Sequence, residues 1–190
     1  MSAPLLDEKL VAIEGALVAA GIPHAFGGAN ALAYYGSIRA THDIDLNVFL
    51  PVAEGERVLA VLAELGAQTE NPGLRRLLER DEQLRVYWDA TPIDMFFAYD
   101  ALHESSLARR RRVDFGGDAL HVLSAEDLLV YKLVFDREKD WRDVAEVIYA
   151  ADQSLDLDYV REWLTRIASP GDPRLARLER VIASGGAELG

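Results

Sequence analysis

The sequence predicts an α/β (α+β) protein: a mixed β-sheet flanked by helices, with a C-terminal helical subdomain. Three observations carry this. Helix-period and strand-period segments alternate in the order αβαβαββ(β) as far as Leu123. From Ser124 onward only helical segments follow. The chain has 190 residues, half of them apolar, enough for one sizeable core, or a core with a small appendage. The change of texture sets the expected division: residues 1–123 form the core, and residues 124–190 form a helical subdomain packed on it.

Each element has its own justification. In "DEKLVAIEGALVAAG" the apolar residues Leu10, Val11, Ile13, Leu17 and Val18 fall at helical spacing, and Gly21 reads as the stop. "IPHAF" is a short strand running into Gly27-Gly28, and "ANALAYYG" is a short helix or turn ending at Gly36. "DIDLNVFL" alternates as a strand and stops at Pro51. "VAEGERVLAVLAELGA" is a helix stopped by Gly66. "LRVYWDATPIDMFFAY" reads as two strands joined at "DATP", and "DFGGDALHVLS" as a turn and a short strand. Ser124 is a good helix N-cap with Asp127 at the capping-box position. "EKDWRDVAEVIYAAD", "LDYVREWLTRIAS" and "PRLARLERVIAS" complete the helical part.

Composition narrows the function. The absence of cysteine excludes disulfides and thiolate zinc sites and fits the cytoplasm. His24, His42, His103 and His121 lack ligand spacing, so no histidine-built metal site is expected. The N-terminal segment is acidic where a signal peptide would be basic, and no apolar run reaches the length of a membrane span. A formal net charge of −12 excludes nucleic-acid binding through a general field. The local exception is Arg109 to Arg112, read as a solvated hairpin edge or a phosphate contact, with Arg75 and Arg76 as further members of a basic rim.

The segment "FGGANALAYYGSIRATHDIDLNVFL" poses the chemical question. In a strand, Asp43, Asp45, Asn47 and Phe49 share one face, and Ile44, Leu46, Val48 and Leu50 supply the core. Neighbouring carboxylates repel, so something must offset the cost. A divalent cation such as Mg²⁺ is the simplest answer, because carboxylate oxygens suit a hard ion. Gly27-Gly28 lets the backbone come close to a ligand, and its N–H groups can meet phosphate oxygens. Arg39 and Thr41 stand just before the aspartates, and the strand "PIDMFFAY" offers Asp94 as a third carboxylate. Lys132 falls on a largely apolar helix stripe with Leu128 and Phe135, so it needs an anionic partner or must snorkel to an edge.

Together these segments resemble the nucleotidyltransferase superfamily typified by DNA polymerase β. More narrowly, "GGANALAYYGSIRATHDIDLNVF", "PIDMFFAY" and "LLVYKLVFDREKDWRDVAEVI" resemble the minimal and AbiEii-like nucleotidyltransferases, many of which are toxin components of bacterial toxin–antitoxin systems. The interval from Gly28 to Asp43 is at the long end for that group, and many relatives carry serine where Gly28 stands. The resemblance implies the nucleotidyltransferase fold, a nucleoside triphosphate such as ATP as substrate, and one or two Mg²⁺ ions. It implies Asp43, Asp45 and Asp94 as catalytic metal ligands, with Asp94 alternatively the base. Gly27, Gly28, Arg39, Thr41, Lys132 and Asp140 would then serve the nucleotide. The expected activity is transfer of a nucleoside monophosphate to an acceptor hydroxyl on a tRNA end or a protein, with an antitoxin protein as partner. The alternatives are a small-molecule, antibiotic-type acceptor, or an inactive nucleotide-binding module.

Overall fold

The computed structural model describes residues 4–38, 40–71, 73, 74, 78, 83–151, 154–169 and 171–187. Helix α1 (Leu6–Ala19) buries Leu10, Ile13 and Leu17. It ends where Gly21 and Ile22 donate to the carbonyls of Val18 and Leu17 at 3.0 and 2.9 Å, satisfying carbonyls the helix leaves open. Strand β1 (His24–Phe26) is buried throughout and leads through Gly27 into the short α2 (Gly28–Leu32). Strand β2 (Ile44–Val48) follows, then a 3-10 turn (Val52–Glu54) and α3 (Gly55–Glu64), which buries Val58, Leu59 and Leu62. Strands β3 (Gln83–Trp88) and β4 (Thr91–Phe97) make a hairpin across Asp89-Ala90. Next come α4 (Ala101–Arg109), β5 (Arg111–Phe115) and β6 (Asp118–Val122).

The strands form one mixed sheet in the order β3-β4-β2-β1-β6-β5. β2 runs parallel to β4 and antiparallel to β1, while β1 runs parallel to β6. The alternation read from the sequence supplies the core: Ile44, Leu46 and Val48 lie in register with Ile93, Met95 and Phe97, and all six are fully buried. Each such side chain contributes roughly 1.5–3 kcal/mol by leaving water.

The chain divides into two compact units, Met1–Asn30 with Ala40–Leu123, and Ala31–Arg39 with Ser124–Gly190. In the second, α5 (Ala125–Phe135) packs against α6 (Glu138–Ala150) and α7 (Leu157–Ala168), and α8 (Pro173–Ala183) packs on α6 and α7. Its core is Leu128, Leu129, Leu133, Trp141, Val144, Val147, Val160, Leu164, Leu178 and Val181. Ser124 caps α5 by accepting from the Asp127 amide at 3.1 Å. The Asp127 carboxylate accepts from the hydroxyls of Ser124 and Tyr159, both at 2.5 Å.

The expected short helix and turn ending at Gly36 are α2, which stops at Leu32, and the turn through Tyr34 and Tyr35 that follows it. Other local expectations need correction. Strand β2 starts one residue after Asp43. Helix α4 was not expected; Asp100 caps it by accepting from the amides of Leu102 and His103 at 2.9 and 3.4 Å. Arg111 and Arg112 are exposed on β5, an edge strand whose free backbone they protect from pairing with another chain. Arg75 and Arg76 lie outside the described residues. Among the described residues no helix is long and apolar enough to cross a membrane.

Candidate functional site

Four neighbouring segments of the sheet place one chemical group each in a straight transverse row. Arg85 on β3 is in register with Asp94 on β4. Asp94 is in register with Asp45 on β2. Gly27, just past β1, donates its N–H to the Asp45 carbonyl at 2.8 Å. Adjacent strands lie about 4.8 Å apart, so the row sets two carboxylates side by side with a cation at one end and a glycine pair at the other.

The cation is committed to Asp94. Arg85 Nε and Nη2 donate to the two Asp94 carboxylate oxygens at 2.6 Å each, a bidentate pair. The Asp94 side chain is 8% exposed and that of Arg85 is 51% exposed. The hydrogen bonds and charge of Asp94 push the Arg85 pKa further above its already high ordinary value. The sequence reading missed Arg85, although counting out from the two-residue turn on both strands pairs it with Asp94.

At the other end, the structure requires glycine. Gly28 has φ +49°, a conformation in which a side chain is strained. A Cβ on Gly28 would overlap the Asp45 carboxylate, with its Cγ 2.5 Å away. A Cβ on Gly27 would lie 2.7 Å from Asn47 Nδ2. The glycine pair is therefore pressed against Asp45 and its strand neighbour.

Asp43 is exposed and Asp45 is half-buried. Thr41 Oγ1 donates to Asp43 Oδ1 at 2.9 Å, and Asn30 Nδ2 donates to the Asp43 carbonyl at 3.2 Å. Thr41 thus orients the first aspartate of the pair, and Asn30 braces its backbone. Arg39 lies outside the described residues. Among the described residues, Asp43, Asp45 and Asp94 are not gathered within 4.8 Å of one another as a ligand set, and Asp94 is paired with Arg85. The donor chemistry of Asp43 and Asp45 nonetheless fits Mg²⁺: both are carboxylates, both reach solvent, and hard oxygen donors plus water are what that ion takes.

In the second unit, Lys132 finds its anionic partner within the protein. Its Nζ lies 2.5 Å from Asp143 Oδ2 and 3.8 Å from Asp140 Oδ1, with all three residues buried. Asp140 is held in turn by Arg137 Nε at 2.6 Å and Nη2 at 3.2 Å.

The fold brings together two histidines that lack ligand spacing in the sequence. His24 on β1 and His121 on β6 meet around Glu14 of α1. His24 Nε2 lies 3.0 Å from Glu14 Oε2, and His121 Nδ1 lies 2.6 Å from Glu14 Oε1. Linear spacing could not show this, because β1 and β6 are sheet neighbours far apart in sequence.

Comparison with known proteins agrees with this architecture. The family described as "Nucleotidyltransferase of unknown function (DUF6036)" matches residues 25–170. No curated protein matches the chain. Among solved structures, that of ANT(2'')-Ia in complex with adenylyl-2''-tobramycin shares 16% identity over 97% of this chain and 98% of that one, with a TM-score of 0.51. An antigenic nucleotidyltransferase-like protein from Paracoccidioides brasiliensis shares 16% identity over 93% and 92% of the two chains, with a TM-score of 0.48. The ANT(2'')-Ia likeness shows the fold, the six-stranded mixed sheet flanked by helices. The family match covers most of the chain, including the glycine pair and all three carboxylates, and on that ground the chain belongs to this family of nucleotidyltransferases.

Proposed function

We propose that the protein transfers a nucleoside monophosphate from a nucleoside triphosphate to a hydroxyl of a positively charged small molecule. The observation that carries the proposal is the transverse row, in which a glycine pair lies directly against Asp45, and Asp45 lies beside Asp94. Asp43 and Asp45 would hold Mg²⁺, with Thr41 fixing the orientation of Asp43. The Gly27 N–H is held by the Asp45 carbonyl, so the N–H of Gly28 and the turn that follows it would receive phosphate oxygens. The acceptor oxygen forms a bond to the α-phosphorus, the bond from that phosphorus to the bridging oxygen breaks, and pyrophosphate leaves. Asp94 would take the hydroxyl proton once Arg85, whose side chain is half-exposed, releases one carboxylate oxygen. Bound Mg²⁺ would supply charge neutralisation and orientation of the triphosphate.

Two facts favour a small cationic acceptor. A net charge of −12 attracts cations and repels a polyanion such as RNA. The fold also matches, over nearly the whole of both chains, a protein captured with adenylyl-2''-tobramycin. The AbiEii-like reading, with a tRNA or protein acceptor and an antitoxin partner, is the alternative; the resemblance of the motif segments and the exposed Arg111 and Arg112 speak for it. Lys132 is given a structural role, because Asp143 and Asp140 already meet its charge.

The test is label transfer from each α-labelled nucleoside triphosphate with Mg²⁺ to small-molecule, RNA and protein pools. Label is expected in the small-molecule pool, and none with Asp43→Ala/Asp45→Ala. Label in RNA or protein would transfer the conclusion to the toxin-like reading. Nucleotide binding without transfer to any pool would leave only a binding module.

A further inference from the structure

The Glu14–His24–His121 cluster stands apart from the row just described. In the β1–β2 register His24 lies beside Val48, on the face opposite Asp45. Its carboxylate and two imidazoles come from α1, β1 and β6, and their ligand atoms all lie within 4.8 Å of one another. We propose that these three side chains bind a divalent transition cation of the zinc class, clasping α1 to the two strands. This inference is independent of the reading of the transferase site.

Four features point to an ion there. His24 Nδ1 is 2.9 Å from the Ile22 carbonyl, so it carries the proton and donates. That leaves Nε2 turned to the Glu14 carboxylate 3.0 Å away, a contact filled either by a proton or by a metal ion. A backbone carbonyl that fixes the far nitrogen of an imidazole is the usual outer partner of a metal-ligating histidine. Second, Glu14 presents both carboxylate oxygens to the cluster, Oε2 toward His24 and Oε1 toward His121.

Third, the spacing is close to what the ion needs. Tetrahedral zinc with bonds of about 2.0–2.1 Å separates its ligand atoms by about 3.4 Å. The observed 3.0 and 2.6 Å are those of proton-filled contacts and need to open by less than about 1 Å. Two imidazoles and a carboxylate form a borderline donor set, suited to zinc rather than magnesium. Fourth, His24 and Glu14 are buried, but the His121 side chain is 22% exposed, which gives the ion an entry side and a fourth, solvent ligand. The location also calls for a clasp: β1 and β6 pair at one position alone, Phe26 with Val122, and Glu14 Oε2 accepts the His121 amide at 2.9 Å where strand pairing has lapsed.

The experiment uses the full chain, stripped with chelator and titrated with Zn²⁺ and, separately, Co²⁺. One equivalent of Zn²⁺ should bind, raise the Tm, and survive Asp43→Ala/Asp45→Ala. His121→Ala, the least buried change, should weaken binding by roughly 100-fold or more and abolish the Tm rise, and Glu14→Gln should do the same. The Co²⁺ form of the unmutated protein should show the intense visible absorption of a tetrahedral nitrogen–oxygen site, a readout that needs no variant to fold. A weak octahedral Co²⁺ spectrum, or Zn²⁺ binding lost with the aspartate pair and retained in His121→Ala, overturns the proposal.

Discussion

Gly28→Ala puts a methyl group where the Asp45 carboxylate now sits. Two costs are mixed in this change, and the structure offers a way to separate them. The first is backbone strain at φ +49°, roughly 1–2 kcal/mol for a residue with a Cβ, offset by up to about 1 kcal/mol because alanine also restricts the unfolded chain. Gly116 has φ +64° and nothing within 4 Å of its added Cβ, so Gly116→Ala carries the strain alone. The second cost is the overlap with Asp45. Its carboxylate is the end of a rotatable side chain, so it can retreat, and the additional loss of stability is small. The retreat must be about 1 Å or more, a displacement that costs on the order of 100-fold in rate when it falls on a reacting group. That is about 2.7 kcal/mol of transition-state stabilisation.

The two variants should therefore unfold at similar urea midpoints, each close to 1 kcal/mol below the unmutated protein. In the label-transfer assay, Gly116→Ala should remain near full activity, and Gly28→Ala should lose about 100-fold in kcat/KM. Full activity in Gly28→Ala, with stability matching Gly116→Ala, would show that Asp45 does not act from the position described, and the reasoning would fail.

Three other changes test the remaining parts of the argument. Removing the cation from the row with Arg85→Gln leaves Asp94 and Asp45 less compensated, so the Mg²⁺ concentration giving half-maximal activity should fall by roughly tenfold, a figure kept modest because Arg85 is half-exposed; an unchanged Mg²⁺ dependence would uncouple Arg85 from the site. Lys132→Met removes the buried cation that meets Asp143, and should lower stability by about 3 kcal/mol in urea unfolding, with part recovered in Lys132→Met/Asp143→Asn; an unaltered midpoint would mean the buried pair is not what holds this region. Glu14 is depressed from 4.5 to about 2, so in chelator-treated protein its contribution is fully present above pH 4.5 and is lost as the pH falls through about 2. The loss should reach about 3 kcal/mol, and Glu14→Gln should lack that acid slope; equal slopes in acid denaturation would refute the assignment.

Periodicity made the sheet legible. Alternation alone separated Ile44, Leu46 and Val48 from Asp45 and Asn47, and the same rule worked for Ile93, Met95 and Phe97 against Asp94. What it could not supply was lateral order. That Asp45 and Asp94 are direct neighbours depends on β2 and β4 pairing in parallel, which no local pattern encodes. Arg85 lay within reach of counting from the hairpin turn, but a single exposed arginine on an alternating strand gives no signal of its own. Helix α4 escaped because its apolar residues are few and its clearest mark is the Asp100 cap. Lys132 was legible as a lysine that needed an anion, and the structure supplied one from the next helix, in a part of the sequence read mainly as a helix start.

Helix α1 links the two polar constellations of the first unit. Lys9, almost fully buried, donates from Nζ to the Trp88 carbonyl at 2.8 Å and to Thr91 Oγ1 at 3.0 Å, with Asp89 Oδ2 at 3.2 Å. Those residues form the turn of the β3–β4 hairpin, and that turn sets which residue faces Asp94. Five residues further along the same helix, Glu14 holds His24 and His121, and His24 lies three residues before Gly27. One helix thus fixes both ends of the row, the arginine end through Lys9 and the glycine end through Glu14. A sheet that sets two carboxylates side by side works against its own electrostatics. The polar contacts of α1, buried and therefore little screened, keep the strands in the register that this arrangement demands.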